Sequence, residues 1–279
     1  MCIRDSFWRA RPQRELDATN DKKHMDVKSE DCPDGFWPVF KGGSFDIWEN
    51  DKSTYYAWAD PDTMIPVLQR KRVRGQRNKR SAFFEFPSRW AENSETHPCR
   101  CARVAFRDVT RATDTRTVRA ALVPPSVFIQ NTAPYFLWPR GDERAATYLL
   151  GVLCSLPLDW YARRFVETHL NFFIANSLPI PRPDDDSEFR NRTIEIAGRL
   201  ACQDERFAEW ATAVGVDCGP IMANDRENLI HELDAVVAHL YGLNQKQLTH
   251  IFETFHEGWD YKDRLKATLE YFRQWKGKS

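Results

Sequence analysis

Long hydrophobic runs are missing from this sequence. The longest, residues 148–162, is interrupted by Pro157 and Asp159, and it falls short of the roughly 20 apolar residues that a membrane-spanning helix needs. We therefore expect a buried helix there and no membrane partner. The 7 cysteines are odd in number and too sparse for a small disulfide scaffold, and no secretory signal opens the chain. These absences favour a cytoplasmic protein.

The sequence also lacks a net charge, because 40 basic residues balance 40 acidic ones. Total charge therefore excludes neither acidic nor basic partners. The distribution is uneven, however: residues 66–119 contain 14 Lys and Arg against 5 Asp and Glu. A local positive excess of this size attracts polyanions. We therefore expect a polyanionic partner to contact this segment.

The first 35 residues show no hydrophobic period of either 2 or 3.6. We interpret residues 1–35 as a linker or an artefactual remnant. Residues 1–6, Met-Cys-Ile-Arg-Asp-Ser, read like translated adapter sequence rather than a natural start. This interpretation predicts that an N-terminal domain has been lost from the chain.

A first domain is predicted over residues 36–183. Closely spaced aromatics and turn residues between 36 and 58 indicate short strands with mainly core side chains, and a helix is expected over 65–80. Strands are predicted at 102–109, 115–123 and 126–131. In the first of them, alternation places Val104 and Phe106 on a core face, and Arg103 and Arg107 on a face open to a ligand.

A second, helical region is predicted over residues 184–279. It follows a helix with a kink at Pro157 and a proline-rich step at 178–183. Asn244 and Gln247 have the spacing of a capping box. Helices are expected at 189–201, 206–213, 225–241, 245–255 and 262–275. The expected fold class is α+β, with a mixed-sheet domain followed by an all-α region.

Three stretches of this sequence carry a family likeness. They are Trp-Pro-Val-Phe-Lys-Gly-Gly-Ser-Phe at 37–45, Arg-Val-Ala-Phe-Arg-Asp-Val-Thr at 103–110 with Arg-Thr at 116–117 and Val-Pro-Pro at 123–125, and Tyr-Leu-Leu-Gly-Val-Leu-Cys-Ser-Leu at 148–156 with Leu-Asn-Phe-Phe-Ile at 170–174 and Leu-Pro-Ile-Pro at 178–181. In this order they resemble the C-terminal target-recognition region of Eco57I-like type II (IIG) adenine-specific DNA methyltransferases of restriction-modification systems. The proline-rich end also resembles type I specificity subunits.

The resemblance covers roughly residues 36–279. It implies recognition of double-stranded DNA for N6-adenine methylation, in defence against foreign DNA such as phage. It also implies S-adenosylmethionine as the cofactor of a catalytic domain that this chain lacks. The partners would then be duplex DNA and the absent N-terminal methyltransferase domain or a separate methylase subunit.

Catalytic signatures of that family are missing from the sequence. Only Gly42-Gly43 comes near a glycine-rich cofactor loop, and its flanks do not fit. The run Asn-Thr-Ala-Pro-Tyr at 131–135 is one residue too long, and one proline short, for a pocket that grips a flipped adenine. A nuclease centre of the Pro-Asp with Glu-x-Lys type is also missing. We expect this chain alone to bind DNA, with no cofactor of its own and no turnover.

Two groups of basic residues are the main DNA-binding candidates. The first is expected to neutralise phosphates, with a solvated helix face as the alternative. The second is expected to include a reader of guanine edges, with ion pairs to Asp108 and Asp114 as the alternative. The phosphate group comprises Arg70, Lys71, Arg72, Arg74, Arg77, Lys79 and Arg80; the base-reading group comprises Arg103, Arg107, Arg111, Arg116 and Arg119.

Further polar residues are weaker candidates for base contacts. They are Thr113, Thr115, Asn131 and Asn171, and for Asn171 and the two phenylalanines after it we favour a core position. No metal site is expected, since His97, Cys99 and Cys101 have no second ligand pair. The histidines of the helical region, His231, His239, His250 and His256, are expected to be surface or half-buried residues.

Other functional classes stay open at the level of sequence. The chain could be a free-standing specificity subunit, similar to type I systems, that recruits separate methylase and nuclease chains. It could also be a nuclease with a divergent centre, or a helical protein-interaction module. Mutation of the basic residues in 70–80 separates the last class from DNA binding.

Overall fold

The computed structural model describes residues 10–138 and 142–278. Their contacts divide into two compact units. The sheet unit comprises the described residues up to 109 and those from 120 to 138, and the helical unit comprises residues 110–119 and 142–278. The sequence-based boundary after residue 183 does not coincide with this division. The supposed adapter residues 1–6 lie outside the described residues.

Strands of the sheet unit form two sheets. In the first, every pairing is antiparallel and the strand order is β1-β7-β4-β5; in the second, β2 lies between β3, to which it is antiparallel, and β6, to which it is parallel. The strands are β1 (Arg11–Gln13), β2 (Trp37–Phe40), β3 (Ala57–Ala59), β4 (Arg103–Phe106), β5 (Ala120–Val123), β6 (Phe128–Ile129) and β7 (Tyr135–Leu137).

Part of the predicted N-terminal linker is built into this fold. Strand β1 pairs with β7 in the register Arg11 to Leu137, and the backbone N–H of Leu16 donates to Ile129 at 3.0 Å. Leu16 is buried in the core around β2 and β6. The structure therefore differs from the expectation of a linker. A three-residue strand has too few positions to show a period, and its partner lies more than a hundred residues away.

The β4 strand is predicted correctly but has no face open to a ligand. All four of its residues are buried, so side chains on both faces of the strand are covered, and its backbone edges are paired with β7 and β5. The predicted strand at 115–123 begins only at residue 120, and residues 110–119 belong to the helical unit instead.

Helix α1 (Pro61–Gln76) runs beside the second sheet. Asp60 caps its N-terminus by accepting from the Asp62 N–H at 3.0 Å. Met64, Ile65 and Leu68 pack with Val39 and Phe128. The helix starts and ends about four residues earlier than the sequence predicts.

Gly75 has a packing reason for its place near the end of α1. A Cβ at this position would lie 2.9 Å from Ser81 Oγ and 3.1 Å from Phe83 Cδ2. The glycine therefore lets the chain fold back tightly after the helix. The short helix α2 (Ser88–Glu92) follows.

The described residues of the helical unit form eight α-helices and a short 3-10 helix, Glu205–Phe207. The α-helices are α3 (Glu143–Cys154), α4 (Leu156–Ala162), α5 (Phe172–Ser177), α6 (Glu188–Ala201), α7 (Ala208–Val214), α8 (Ala223–Leu240), α9 (Gln245–Glu253) and α10 (Lys262–Gln274). The last five lie within a few residues of the predicted positions. The capping box of Asn244 and Gln247 is confirmed at the start of α9.

Close packing of α3 explains why its apolar run is buried. Gly151 lies against α6, where a Cβ would come within 2.8 Å of Thr193 Cγ2 and 3.1 Å of Ala197 Cβ. Helix α3 ends at Cys154, and the backbone of Ser155 is extended. Pro157 lies in the first turn of the next helix, α4. Within the described residues, no helix combines the length and apolar character that crossing a membrane requires.

The predicted fold class is confirmed. The chain has mixed sheets in one part and a helical C-terminal region, which is the α+β class. The cores of the two units consist of separate clusters of buried side chains.

Candidate nucleic-acid interface

An exposed group of basic side chains lies at the C-terminal end of α1 and in the turn after it. We call this group the basic ridge; it comprises Arg70, Lys71, Arg74, Arg77, Lys79 and Arg80. Arg70, Arg74 and Arg77 follow the i, i+4, i+7 spacing that places side chains on one helix face. The sequence identified all six residues.

Most of the basic ridge is electrostatically uncompensated. Lys71 forms an ion pair with Asp21. Among the described residues, no acidic group lies within 4.0 Å of the charged nitrogens of the other five. Their positive charge is therefore available to an external anion.

Arg72 is named among the phosphate-binding candidates, and the structure corrects this assignment. It is 1% exposed. Its Nη1 donates to Thr96 O and Oγ1 at 3.1 Å, its Nη2 donates to Gln69 Oε1 at 2.7 Å and to Asn93 O, and its guanidinium stacks on Trp90 at 4.7 Å. Burial lowers the pKa of Arg72 to about 10. The side chain ties α1 to residues 90–96 and cannot reach a phosphate.

Arg103, a base-reading candidate, is also buried, at 5% exposure. Its Nη2 donates to Glu15 Oε2 at 3.0 Å and to Val127 O at 3.1 Å. It is therefore an internal cation that joins the N-terminal segment to the sheet. The ion-pair alternative is correct in kind, although the acid is Glu15 rather than Asp108, which pairs with Arg14.

Arg116 is the third arginine whose predicted role is corrected. Its Nε donates to Asp159, a carboxylate at 0% exposure. The same carboxylate accepts from the backbone N–H groups of Thr117 and Val118, each at 3.1 Å. Arg116 is half-buried, with 13% of its side chain exposed, and it holds residues 110–119 within the helical unit.

Arg107 and Arg111 keep their candidacy for base contacts. Arg107 is half-buried, and its Cγ lies beside Gly42, where a Cβ would be 3.1 Å away. Arg111 is exposed. Arg119 is half-buried and donates to Arg116 O at 3.1 Å.

The weaker polar candidates divide in the same way. Thr113 and Thr115 are exposed, and the half-buried Asn131 accepts through Oδ1 from the Ala18 N–H at 3.4 Å. Asn171 is exposed, but its Oδ1 caps α5 by accepting from the Ile174 N–H at 3.0 Å. The amide NH2 of Asn171 and one lone pair of its Oδ1 therefore stay available to an external partner.

An exposed aromatic group near α5 was missed at the level of sequence. Phe173 is 81% exposed, so the expected core position is wrong for this residue. Tyr161 and Phe165 are also exposed, with ring centroids 5.0 Å apart. We call Tyr161, Phe165 and Phe173 the aromatic patch; they line one shallow surface pocket. Adjacent phenylalanines alone gave no signal for exposure.

Known proteins show little similarity to this chain. No protein-family model matches the chain, and no curated protein does. Among solved structures, the chain is similar to the type IIL restriction-modification enzyme MmeI in complex with DNA, with 12% identity and a TM-score of 0.43. The match covers 95% of this chain and 35% of that one, so the chain spans about a third of that enzyme's length. A likeness at this TM-score establishes neither a shared fold nor a shared function.

Proposed function

We propose that this chain binds double-stranded DNA through the basic ridge. The observation that carries the proposal is the cluster of five exposed cations, Arg70, Arg74, Arg77, Lys79 and Arg80, which have no acidic partner among the described residues. Duplex DNA presents a phosphate charge about every 1.7 Å along its axis, and contacts to these phosphates release bound counterions. The ridge fixes the protein on the backbone and leaves sequence reading to other side chains.

The finer proposal is target recognition for an adenine-specific (N6) DNA methyltransferase of a restriction-modification or phage-defence system. Its support is the resemblance of the three sequence stretches given above. S-adenosylmethionine and the catalytic groups then belong to another domain or to a separate methylase subunit. Arg107 and Arg111 are the proposed base-contacting arginines, because Arg107 is half-buried and Arg111 is exposed.

The first experiment is selection of bound sequences from a randomised duplex pool at two salt concentrations. We expect a short recovered motif and an affinity that falls steeply with salt. Each phosphate contact contributes about −0.9 to the slope of log affinity against log salt. The triple variant Arg70→Ala, Arg74→Ala, Arg77→Ala should therefore have a slope shallower by about 2.7 and an affinity weaker on the order of tenfold.

The matched control removes the same charge elsewhere. Lys246, Lys266 and Lys276 are exposed residues of the helical unit, and their triple alanine variant should bind as the unmodified chain does. Equal binding by all three proteins would contradict the role of the ridge. No binding at low salt would contradict the DNA-binding proposal itself.

A protein-interaction module is the second candidate, and the aromatic patch is the observation that favours it. Contiguous exposed apolar side chains often mark interaction sites. If binding of a protein partner is the main role, the triple ridge variant should still bind that partner. Phe173→Ser should abolish the binding.

A further inference from the structure

Two strands from different sheets of the sheet unit end beside the turn between β6 and β7. Strand β2 ends at Phe40, and strand β4 ends at Phe106. The Gly42 N–H donates to Thr132 Oγ1 at 3.0 Å, and the Asp108 N–H donates to Thr132 O at 3.0 Å. Thr132 therefore joins the segment that follows β2 to the segment that follows β4.

Glycine at position 42 permits this close approach. A Cβ there would lie 2.9 Å from Thr132 O and 3.1 Å from Arg107 Cγ, so a larger residue would push these groups apart. A Cβ at Gly43, by contrast, would have no atom within 4 Å. The stem of Arg107 is thus packed against the backbone at Gly42, while the space beside Gly43 is open.

The groups that remain unused at this place are hydrogen-bond donors. Lys41, Gly43, Arg107 and Thr132 are all half-buried, so each keeps some contact with solvent. Among the described residues, the Gly43 N–H has no acceptor, and no carboxylate lies within 4.0 Å of the charged nitrogens of Lys41 or Arg107. The Thr132 hydroxyl accepts from Gly42 and still has its own hydrogen to donate. We call Lys41, Gly43 and Thr132 the strand-end site, which Arg107 adjoins.

A phosphate group complements the strand-end site. Its oxygens accept hydrogen bonds, and its negative charge is matched by the positive charge of Lys41. Backbone N–H groups, hydroxyls and basic side chains are the groups with which proteins hold DNA phosphates. The carboxylate next along the chain, Asp108, has 9% of its side chain exposed and pairs with Arg14 at 3.0 Å. Its charge is therefore compensated within the protein.

We propose that the strand-end site binds one phosphate of the duplex backbone, as a contact separate from the basic ridge. The inference rests on the proposed DNA-binding function. Lys41, the Gly43 N–H and the Thr132 hydroxyl hold the phosphate oxygens. Contacts to the backbone fix the register from which other side chains read base edges. The bound phosphate thus positions the neighbouring Arg107 relative to the bases.

The test measures the affinity of the full chain for a fully paired duplex over a range of salt concentrations. Lys41→Ala should make the slope of log affinity against log salt shallower by about 0.9. The same change is expected when Lys41→Ala is added to the triple ridge variant, because the two contacts are separate. Lys28→Ala removes the same charge from an exposed position of the sheet unit and should leave the slope unchanged.

The hydroxyl of Thr132 can be tested without a change of charge. Thr132→Val should weaken binding about fivefold, and Thr132→Ser, which retains the hydroxyl, should bind as the unmodified chain does. The weakening should be equal for duplexes of different sequence, since a phosphate carries no sequence information. Thermal melting establishes that each variant folds, and if Thr132→Val does not fold, Lys41→Ala decides alone.

Two results would overturn the strand-end site. One is an unchanged salt slope in Lys41→Ala, and the other is a loss of affinity confined to one duplex sequence. Ridge-dependent binding would in either case leave the proposed function intact. Failure of the unmodified chain to bind any duplex at low salt rejects both proposals.

Discussion

Three arginines of this chain, two of them buried and one half-buried, act as internal connectors. Arg72, Arg103 and Arg116 each direct their guanidinium to backbone carbonyls and to at least one side-chain oxygen acceptor. Guanidinium suits this role because it offers five donors in a fixed plane and stays charged when buried. Arg70, two positions before Arg72, is exposed instead. Arginines two positions apart therefore differ in environment, since one is internal and the other is exposed to solvent.

Truncation of the two arginines should separate stability from DNA binding. Arg72→Ala removes the guanidinium donor to Thr96 O, Asn93 O and Gln69 Oε1, and we expect a loss of at least about 2 kcal/mol in the free energy of unfolding. Arg70→Ala should change that free energy by less than about 0.5 kcal/mol and should weaken DNA binding. Urea denaturation and a binding titration measure the two effects. Equal destabilisation by both variants would contradict the assignment.

His97 should make the stability of the chain depend on pH. Burial, with a smaller contribution from the nearby Arg72 charge, lowers the pKa of His97 from 6.5 to about 3. Between these values the unfolded chain binds a proton that the folded chain does not. Stability should therefore rise with pH across this window, and fall as pH decreases below 6.5, by up to about 1.4 kcal/mol per pH unit.

The contribution of His97 can be isolated with a neutral variant. The His97 Nε2 atom lies 2.8 Å from Gln69 Oε1, and the amide of a His97→Gln variant can donate to the same oxygen. The slope of unfolding free energy against pH should be shallower in this variant. His250→Gln, at an exposed position, serves as the control. An unchanged slope in His97→Gln would refute the prediction.

At the scale of elements, the segment 110–119 is held by side chains that bind its backbone. Asp159 of α4 accepts from the Thr117 and Val118 N–H groups, and Nη2 of Arg163 donates to Asp114 O at 2.6 Å. The segment forms no regular helix or strand. Its backbone polar groups therefore depend on side chains for partners.

Asp159→Asn should release this segment. The substitution removes the charge that balances Arg116 and places amide hydrogens toward N–H donors, so we expect a loss of about 3 kcal/mol. Hydrogen exchange should accelerate selectively at residues 110–119. Asp186→Asn, at an exposed position, should leave exchange unchanged. Protection of 110–119 that survives Asp159→Asn would show that other contacts hold the segment.

At the scale of the whole molecule, charge separation matters more than net charge. The chain is formally neutral, yet the basic ridge concentrates positive charge on one surface of the sheet unit. A local field of this kind binds polyanions even when the total charge is zero.

Chromatography provides a direct measure of this separation. About one pH unit above its pI of 7.0, the chain carries net negative charge and should still be retained on a cation exchanger or on heparin. The triple ridge variant should elute at lower salt than the triple lysine variant of the helical unit, although both have lost three charges. Identical elution of the two would show that the ridge does not dominate the field.

The sequence alone determined the helical content, the α+β class, the Asn244 capping box and the residues of the basic ridge. These features depend on local periodicity, capping and composition, which short windows of sequence express. Only the tertiary structure decided that β1 joins a sheet, that Arg72, Arg103 and Arg116 are internal, and that Phe173 is exposed. Each of these depends on partners distant in the chain, such as Glu15 for Arg103 and Asp159 for Arg116. The burial of a charged side chain is set by those partners, and residue type and spacing do not specify them.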